Sequence, residues 1–309
     1  MAKKKKAIRR ESPPYRSYKA FCKDLLTIEN VDFMRYGDYR YSIAGDSKGK
    51  WFEFHESALI DKERIKFFLR HDIDQDLITA LKMARIESAL GIRSTFFCLL
   101  TGKKPSLWRR SKSAERKMIH ILKEIQDLGH EVALHYDLYG EFFEYGIICD
   151  KTLKENLHFL RSNGIRVSGC VAHSAGRTRN MLKIGKECLD RKYMNWTVWS
   201  ELFEKDSLMC NRRSLNIPCC SLFDNKLKYE AYFVERGSSH HMYISDGSGR
   251  FWTCNKANQI IDMREVKKLI RSEKVSTITL LTHPHLWNED RESFSDGVVK
   301  KQIESYKAG

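Results

Sequence analysis

From residue 65 onward the chain alternates short apolar runs with amphipathic stretches, and this alternation restricts its fold more than any other feature. Ile65–Asp74, Ser94–Leu100, His130–Tyr136, Val167–His173 and Thr277–Thr282 read as strands. Between them, Leu77, Ala80, Leu81 and Ala84 recur at helical spacing. So do Met118, Ile121, Leu122, Ile125 and Leu128, with Ser113 as the expected cap, and then Leu153, Leu157 and Leu160. Gly91, Gly129 and Gly164 follow these stretches, where a left-handed residue stops a helix. Further helices are expected over residues 15–28, Met181–Asp190 and Met263–Ser272. Repeated strand–helix units predict a parallel sheet, because parallel neighbours need a long crossover and a helix supplies it. At 309 residues the chain can form one α/β barrel or two smaller domains. Residues 1–14 read as a disordered basic tail, 15–64 as a peripheral segment and 65–300 as the main domain.

The formal net charge of +15 favours anionic partners, among them nucleic acid, anionic glycans and phosphorylated substrates. Lys3 to Lys6 with Arg9 and Arg10 form one basic cluster. Lys103, Lys104, Arg109, Arg110 and Lys112 form a second around Trp108, placed to line an entrance. The start MAKKKKAIRR is followed by no hydrophobic core, so it does not read as a secretory signal. No apolar run is long enough to cross a bilayer. The nine cysteines form no CxxC pair, and scattered thiols of this kind fit a reducing, cytoplasmic setting.

Chemistry concentrates at the predicted strand ends. Asp72 and Asp74 stand two residues apart, so a strand turns both to one face. Two like charges that close are costly unless a cation or a shared proton relieves them. His135, His173 and His283 close three other strands that run the same way, and right-handed crossovers bring those ends to one rim. At a strand rise of about 3.3 Å per residue, His130 and His135 lie roughly 16 Å apart, so His130 belongs to the opposite end. His71 points away from the rim. Imidazole and carboxylate around an open position suit zinc or a similar divalent ion. A second carboxylate and a further histidine provide a general base and a general acid. The reaction class that follows is metal-assisted hydrolysis of an amide or ester.

Several segments resemble the polysaccharide deacetylases of the NodB-homology type, and in particular a cytosolic branch associated with surface-polysaccharide genes. They are Leu69–Asp74, Gly91–Phe97, Gly129–Asp137, Ser245–Arg250 and Leu280–Pro284, in the expected order. The resemblance implies a distorted (β/α) barrel and removal of an acetyl group from an N-acetylated sugar or glycan precursor, possibly phosphate-linked. It implies Asp72 as base, Asp74 and His135 as metal ligands and His283 as acid, with Zn2+ or Co2+ as cofactor. Two departures stand out. Ile73 separates acids that are adjacent in the usual motif, so the base and ligand roles are open to exchange. Tyr139 stands where the second metal histidine belongs, so His173 is taken as the third ligand, with Asp137 in reserve. Arg70, Asp137, Asp246, Arg250 and Trp287 are expected to contact substrate, and Trp252 is a further stacking candidate. Two other readings use the same scaffold: a non-catalytic glycan- or nucleic-acid-binding protein, and an amidase acting on another C–N bond.

Overall fold

A computed structural model describes residues 17–39, 64–101, 111–173, 195–201, 205–210, 213–236, 240–246, 253–254, 263–272 and 275–287. The basic tail, Trp108 with Lys103, Lys104, Arg109 and Arg110, the expected helix at Met181–Asp190, Arg250 and Trp252 lie outside the described residues, and Lys112 opens a helix.

The strands are β1 (Val31–Phe33), β2 (Ile65–Ile73), β3 (Thr95–Leu99), β4 (Glu131–Tyr136), β5 (Gly169–Ala172), β6 (Asp206–Cys210), β7 (Arg213–Ile217), β8 (Tyr229–Glu230), β9 (His241–Ser245), β10 (Thr253–Cys254) and β11 (Thr277–Thr282). The helices are α1 (Tyr18–Leu25), α2 (Leu77–Ala89), α3 (Lys112–Asp127), α4 (Leu138–Tyr145), α5 (Cys149–Ser162), α6 (Ala231–Arg236) and α7 (Met263–Ser272). β6 and β7 form a separate antiparallel pair.

The main sheet runs β10-β9-β11-β2-β3-β4-β5-β8, parallel throughout except at the β10–β9 edge. It curls into a half-barrel flanked by helices, an α/β architecture. β1 lies parallel to the first residues of β2, before the pairing of β2 with β3 begins at Arg70.

Alternation along each strand builds two different interiors. Outward-facing Phe96, Cys98, Val132, Leu134 and Cys170 meet the apolar stripes of α2, α3 and α5. Phe67, Leu69, Ile278 and Leu280 meet Phe21 and Leu25 of α1. Inside the curl, Phe68, Phe97, Ala133 and Val171 pack with Tyr36 and Tyr229. Tyr36 stacks on Phe68 at 4.6 Å, so residues 34–39 help fill the curl. Gly169 is required here, because a Cβ on it meets the Tyr229 ring at 2.0 Å.

Local signals explain most element ends. Ser111, not Ser113, caps α3 by accepting from the Ala114 amide. Asp137 caps α4 by accepting from the Gly140 amide at 3.1 Å. Gly91, Gly129 and Gly164 all have positive φ, as the helix stops predict.

One buried polar group belongs wholly to the outer face. Glu87 accepts from the Tyr18 and Ser94 hydroxyls and pairs with His71 Nε2 at 2.9 Å. His130 joins through Ser94 at 2.8 Å and donates through Nε2 to the Ala84 carbonyl at 2.9 Å. Burial raises the Glu87 pKa, but His71, His130 and Ser94 outweigh it and hold the carboxyl below its usual range. His71 and His130 therefore lie away from the rim, as strand alternation predicts for the first and strand rise for the second.

Candidate metal centre

The carboxyl ends of β2, β4, β5 and β11 bring Asp72, Asp74, His135, His173 and His283 together. Asp74 follows β2 in a tight turn, its amide bonded to the Asp72 carbonyl at 3.2 Å. Ligand atoms of Asp74, His135 and His173 all lie within 4.8 Å of one another. This cluster is suited to a metal ion.

The polar atoms there fit a cation. Asp74 Oδ1, His135 Nε2 and His173 Nδ1 are buried and make no hydrogen bond. His135 Nε2 lies 3.4 Å from Asp74 Oδ1 and 3.5 Å from Asp72 Oδ2. His135 Nδ1 donates to the Val171 carbonyl at 3.0 Å, which leaves the Nε2 lone pair facing the carboxylates. Buried polar atoms are rarely left unpaired, and three around one point are satisfied together by a single cation.

The neighbouring carboxylate differs. Asp72 accepts two hydrogen bonds from Arg70, both at 2.8 Å. Arg70 is fully buried; it reaches Glu235 at 3.0 Å and lies beside the rings of Phe97 and Tyr232. Glu235 in turn accepts from the Tyr36 hydroxyl at 2.7 Å. Burial raises the Asp72 pKa, yet Arg70 and then His135 bring it below the usual value. Glu235 goes the other way, because its burial outweighs the help from Arg70 and Tyr36. Asp72 thus carries the charge that balances Arg70. Arg70 sits beneath Asp72 rather than in contact with solvent, so it orients that carboxylate.

His283 is fixed by Asp246. Its Nδ1 donates to Asp246 Oδ1 at 2.6 Å and its amide to Asp246 Oδ2 at 2.9 Å. Its Nε2 faces Asp74 at 3.9 Å. Burial disfavours the imidazolium, but Asp246, Asp74 and Asp72 outweigh it and raise the pKa to about 9. The site is open on one side: the side chains of Asp74, His173 and His283 are 18%, 24% and 15% exposed. Asp246→Asn keeps an acceptor and removes the charge. It is expected to lower the His283 pKa by about 1–3 units, read from imidazole NMR shifts against pH.

The remaining expected residues take other places. Asp246 is buried and positions His283. Asp137 accepts from Asn195 Nδ2 at 2.8 Å, and its Oδ2 lies 3.9 Å from His173 Nδ1, behind the cluster. Trp287 lies in the apolar layer against Tyr18 and Phe21, on the outer side of the sheet. Its burial there is a core role, and the structure does not bring it to the rim. Asn195 and Glu235 were not singled out from sequence. Asn195 also donates to the His173 carbonyl at 3.2 Å, so it steadies two rim residues. Glu235 carried one weak signal, a carboxylate inside an aromatic segment.

Fold and site together define an α/β protein with an Asp/His/His cluster able to hold a metal ion at the carboxyl ends of its parallel strands. No protein-family model matches the chain, and no similar curated protein is found. No described helix is long and apolar enough to cross a membrane.

Proposed function

We propose that this chain is a metal-dependent hydrolase that removes an acetyl group from an N-acetylated sugar, on a distorted barrel of the polysaccharide deacetylase type. The observation that carries this reading is the coincidence of three unpaired buried atoms with the Asp74, His135 and His173 cluster. Asp74, His135 and His173 hold the cation, Zn2+ or Co2+. When bound, such an ion supplies Lewis acidity toward an amide carbonyl.

The rest is the work of side chains. Asp72, kept as a carboxylate by Arg70, is in the form that accepts a proton from water. His283, protonated at neutral pH, donates from Nε2 to the departing amine. Asp246 holds Nδ1 and so aims Nε2 into the site. Both Asp72 oxygens are engaged by Arg70, whereas Asp74 Oδ1 makes no hydrogen bond, which supports Asp74 as the ligand and leaves the base role to Asp72. The net charge of +15 supports an anionic carrier, such as a nucleotide- or lipid-phosphate-linked sugar.

The test is acetate release from nucleotide-linked N-acetylhexosamines by zinc-loaded protein. Asp72→Asn is expected to lower the rate by about 10²–10⁴ with metal content unchanged. Acetate release that survives Asp72→Asn at full rate sinks the assignment.

A further inference from the structure

At the end of the sheet opposite the metal centre, the first residues of β4 and the turn leading into β5 open into a cleft of about 520 Å3. Glu131 begins β4 and His135 lies four residues on, so the two ends are roughly 13 Å apart along that strand. Three turns wall the cleft: residues 35–38 after β1, the α3–β4 turn and the α5–β5 turn. Ile165 and Val167 add apolar lining. The volume falls in the range of small-molecule sites, about 300–1,000 Å3.

Polar contacts hold the walls in place. The Gln126 side chain takes both backbone groups of Arg166: Nε2 donates to its carbonyl at 2.7 Å, and Oε1 accepts from its amide at 3.2 Å. Glu131 accepts from the Gly37 amide at 2.8 Å, the Thr95 hydroxyl at 3.0 Å and the Ser168 hydroxyl at 2.6 Å. α3, β4 and the entry to β5 are thus tied to the segment after β1.

The charges around the cleft do not cancel. Asp38 is committed to Arg35, which donates through Nε at 2.7 Å and Nη2 at 2.6 Å. Glu131 is committed to its three donors. Arg161, Arg166 and Lys123 are left over, and none of them forms an ion pair among the described residues. Lys123 stands at the margin, its Nζ 3.5 Å from where a Cβ on Gly164 would lie. Arg161 ends α5 and donates to the carbonyls of Asn225, Val167 and Lys226, at 2.9, 3.1 and 3.1 Å. A guanidinium has five N–H groups, so two remain for a ligand, on a side chain already fixed by its other three. The exposed Arg166 guanidinium makes no hydrogen bond among the described residues.

We propose that this cleft binds the phosphate group of a small phosphate ester through Arg161, Arg166 and Lys123. A planar guanidinium matches two phosphate oxygens at once, and an ammonium adds a point charge. Because Arg161 is held by backbone carbonyls, little freedom is lost when its spare donors engage. The recess suits a compact ligand. A nucleic-acid backbone or a membrane surface laid across it would also meet Asp38 and Glu131, which line the same cleft and repel an extended polyanion. The cleft is remote from the metal cluster, so its occupancy is separable from the chemistry there.

The test uses the full chain stripped of metal, so that phosphate has no ion to bind. Glucose 6-phosphate and adenosine monophosphate are titrated by calorimetry at about 150 mM salt, where long-range attraction is screened. One of the two is expected to bind at one site per chain, with inorganic phosphate competing. Arg166→Gln and Lys123→Gln are each expected to weaken binding about tenfold, the scale of one charge-assisted hydrogen bond. Arg166→Lys is expected to recover part of the loss, and Asp74→Asn to leave the affinity unchanged. Both substituted side chains are exposed, and circular dichroism checks that the variants fold. Failure of both esters and of phosphate to bind at millimolar concentration overturns the proposal, and so does equal affinity in wild type and the two glutamine variants. An affinity that falls in Asp74→Asn places the ligand at the opposite rim and overturns it as well. Salt-sensitive binding confined to single-stranded DNA or to phosphatidate vesicles also counts against a small-ester site. An unchanged zinc-induced shift in Tm in Arg166→Gln is expected whichever ester binds, because the two ends of the sheet act separately.

Discussion

Zinc added to the metal-stripped protein is expected to raise its unfolding temperature, and His135→Ala is expected to erase that rise. An ion that binds only the folded chain stabilises it by mass action, by about 2.7 kcal/mol at a hundredfold excess over Kd. For a chain of this size that corresponds to a shift of several degrees in Tm. His135 is the ligand to remove because it is the most constrained one. It is 1% exposed, its Nδ1 is committed to Val171, and its Nε2 faces both Asp72 and Asp74. Loss of one of three ligands leaves two, too few for a closed tetrahedral site. Circular dichroism without zinc checks that the variant still folds, and bound metal per chain supplies an independent count. The pH dependence has a definite sign. Burial lowers the His135 pKa, but Asp72 and Asp74 outweigh it and raise the pKa above the usual value. Burial and His135 lower that of His173. His135 must shed a proton to coordinate, so zinc affinity is expected to fall as pH drops through the raised His135 pKa. Equal zinc-induced shifts in wild type, His135→Ala and Asp74→Asn contradict a metal centre at this position.

Arg70→Met is expected to lower folding stability by about 3–5 kcal/mol, because it strands two buried carboxyls without their cation. Methionine fills much of the aliphatic volume, so the loss is electrostatic rather than a cavity effect. The buried guanidinium remains charged despite the cost of burial, held so by Asp72 and Glu235. Asp72 has a depressed pKa in the wild type, so its contribution is present above the unfolded-state value and is lost as pH falls through the native one. In the variant the same carboxyls lose their partner, and protonation relieves them. The deficit is therefore expected to be larger at pH 8 than at pH 5. Urea midpoints at the two pH values measure both effects. A loss below about 1 kcal/mol with no pH dependence contradicts the buried triad of Asp72, Arg70 and Glu235.

The rim was legible in the sequence because strand periodicity is two. Once β2, β4, β5 and β11 were recognised from their apolar runs, the faces of Asp72, Asp74, His135, His173 and His283 followed. The same rule sent His71 elsewhere and strand rise sent His130 to the opposite end, where Glu87 pairs with His71 and Ser94 links His130 to it. Residues in irregular segments carried no such rule. Tyr36, Asn195 and Glu235 reach their partners across 22 to 243 positions of sequence, and no local pattern encodes those contacts. α4 escaped notice because Leu138–Tyr145 is a short aromatic stretch without a clear stripe; only the Asp137 cap announces it. Trp287 shows the complementary error. A tryptophan beside His283 and Pro284 suggests a stacking platform, but one short turn carries it to the outer layer.

β2 carries two incompatible polar systems back to back. Arg70 and Asp72 serve the open end of the curl, while His71, between them, serves the sealed group around Glu87. Sliding this strand by a single position against β3 and β11 exchanges the two sets. The carboxylate would then be pressed among helices and the imidazole turned to the mouth. Deletion or insertion of one codon in the Phe67–Asp72 stretch is thus a harsher lesion than most replacements there, for it breaks both systems in one step.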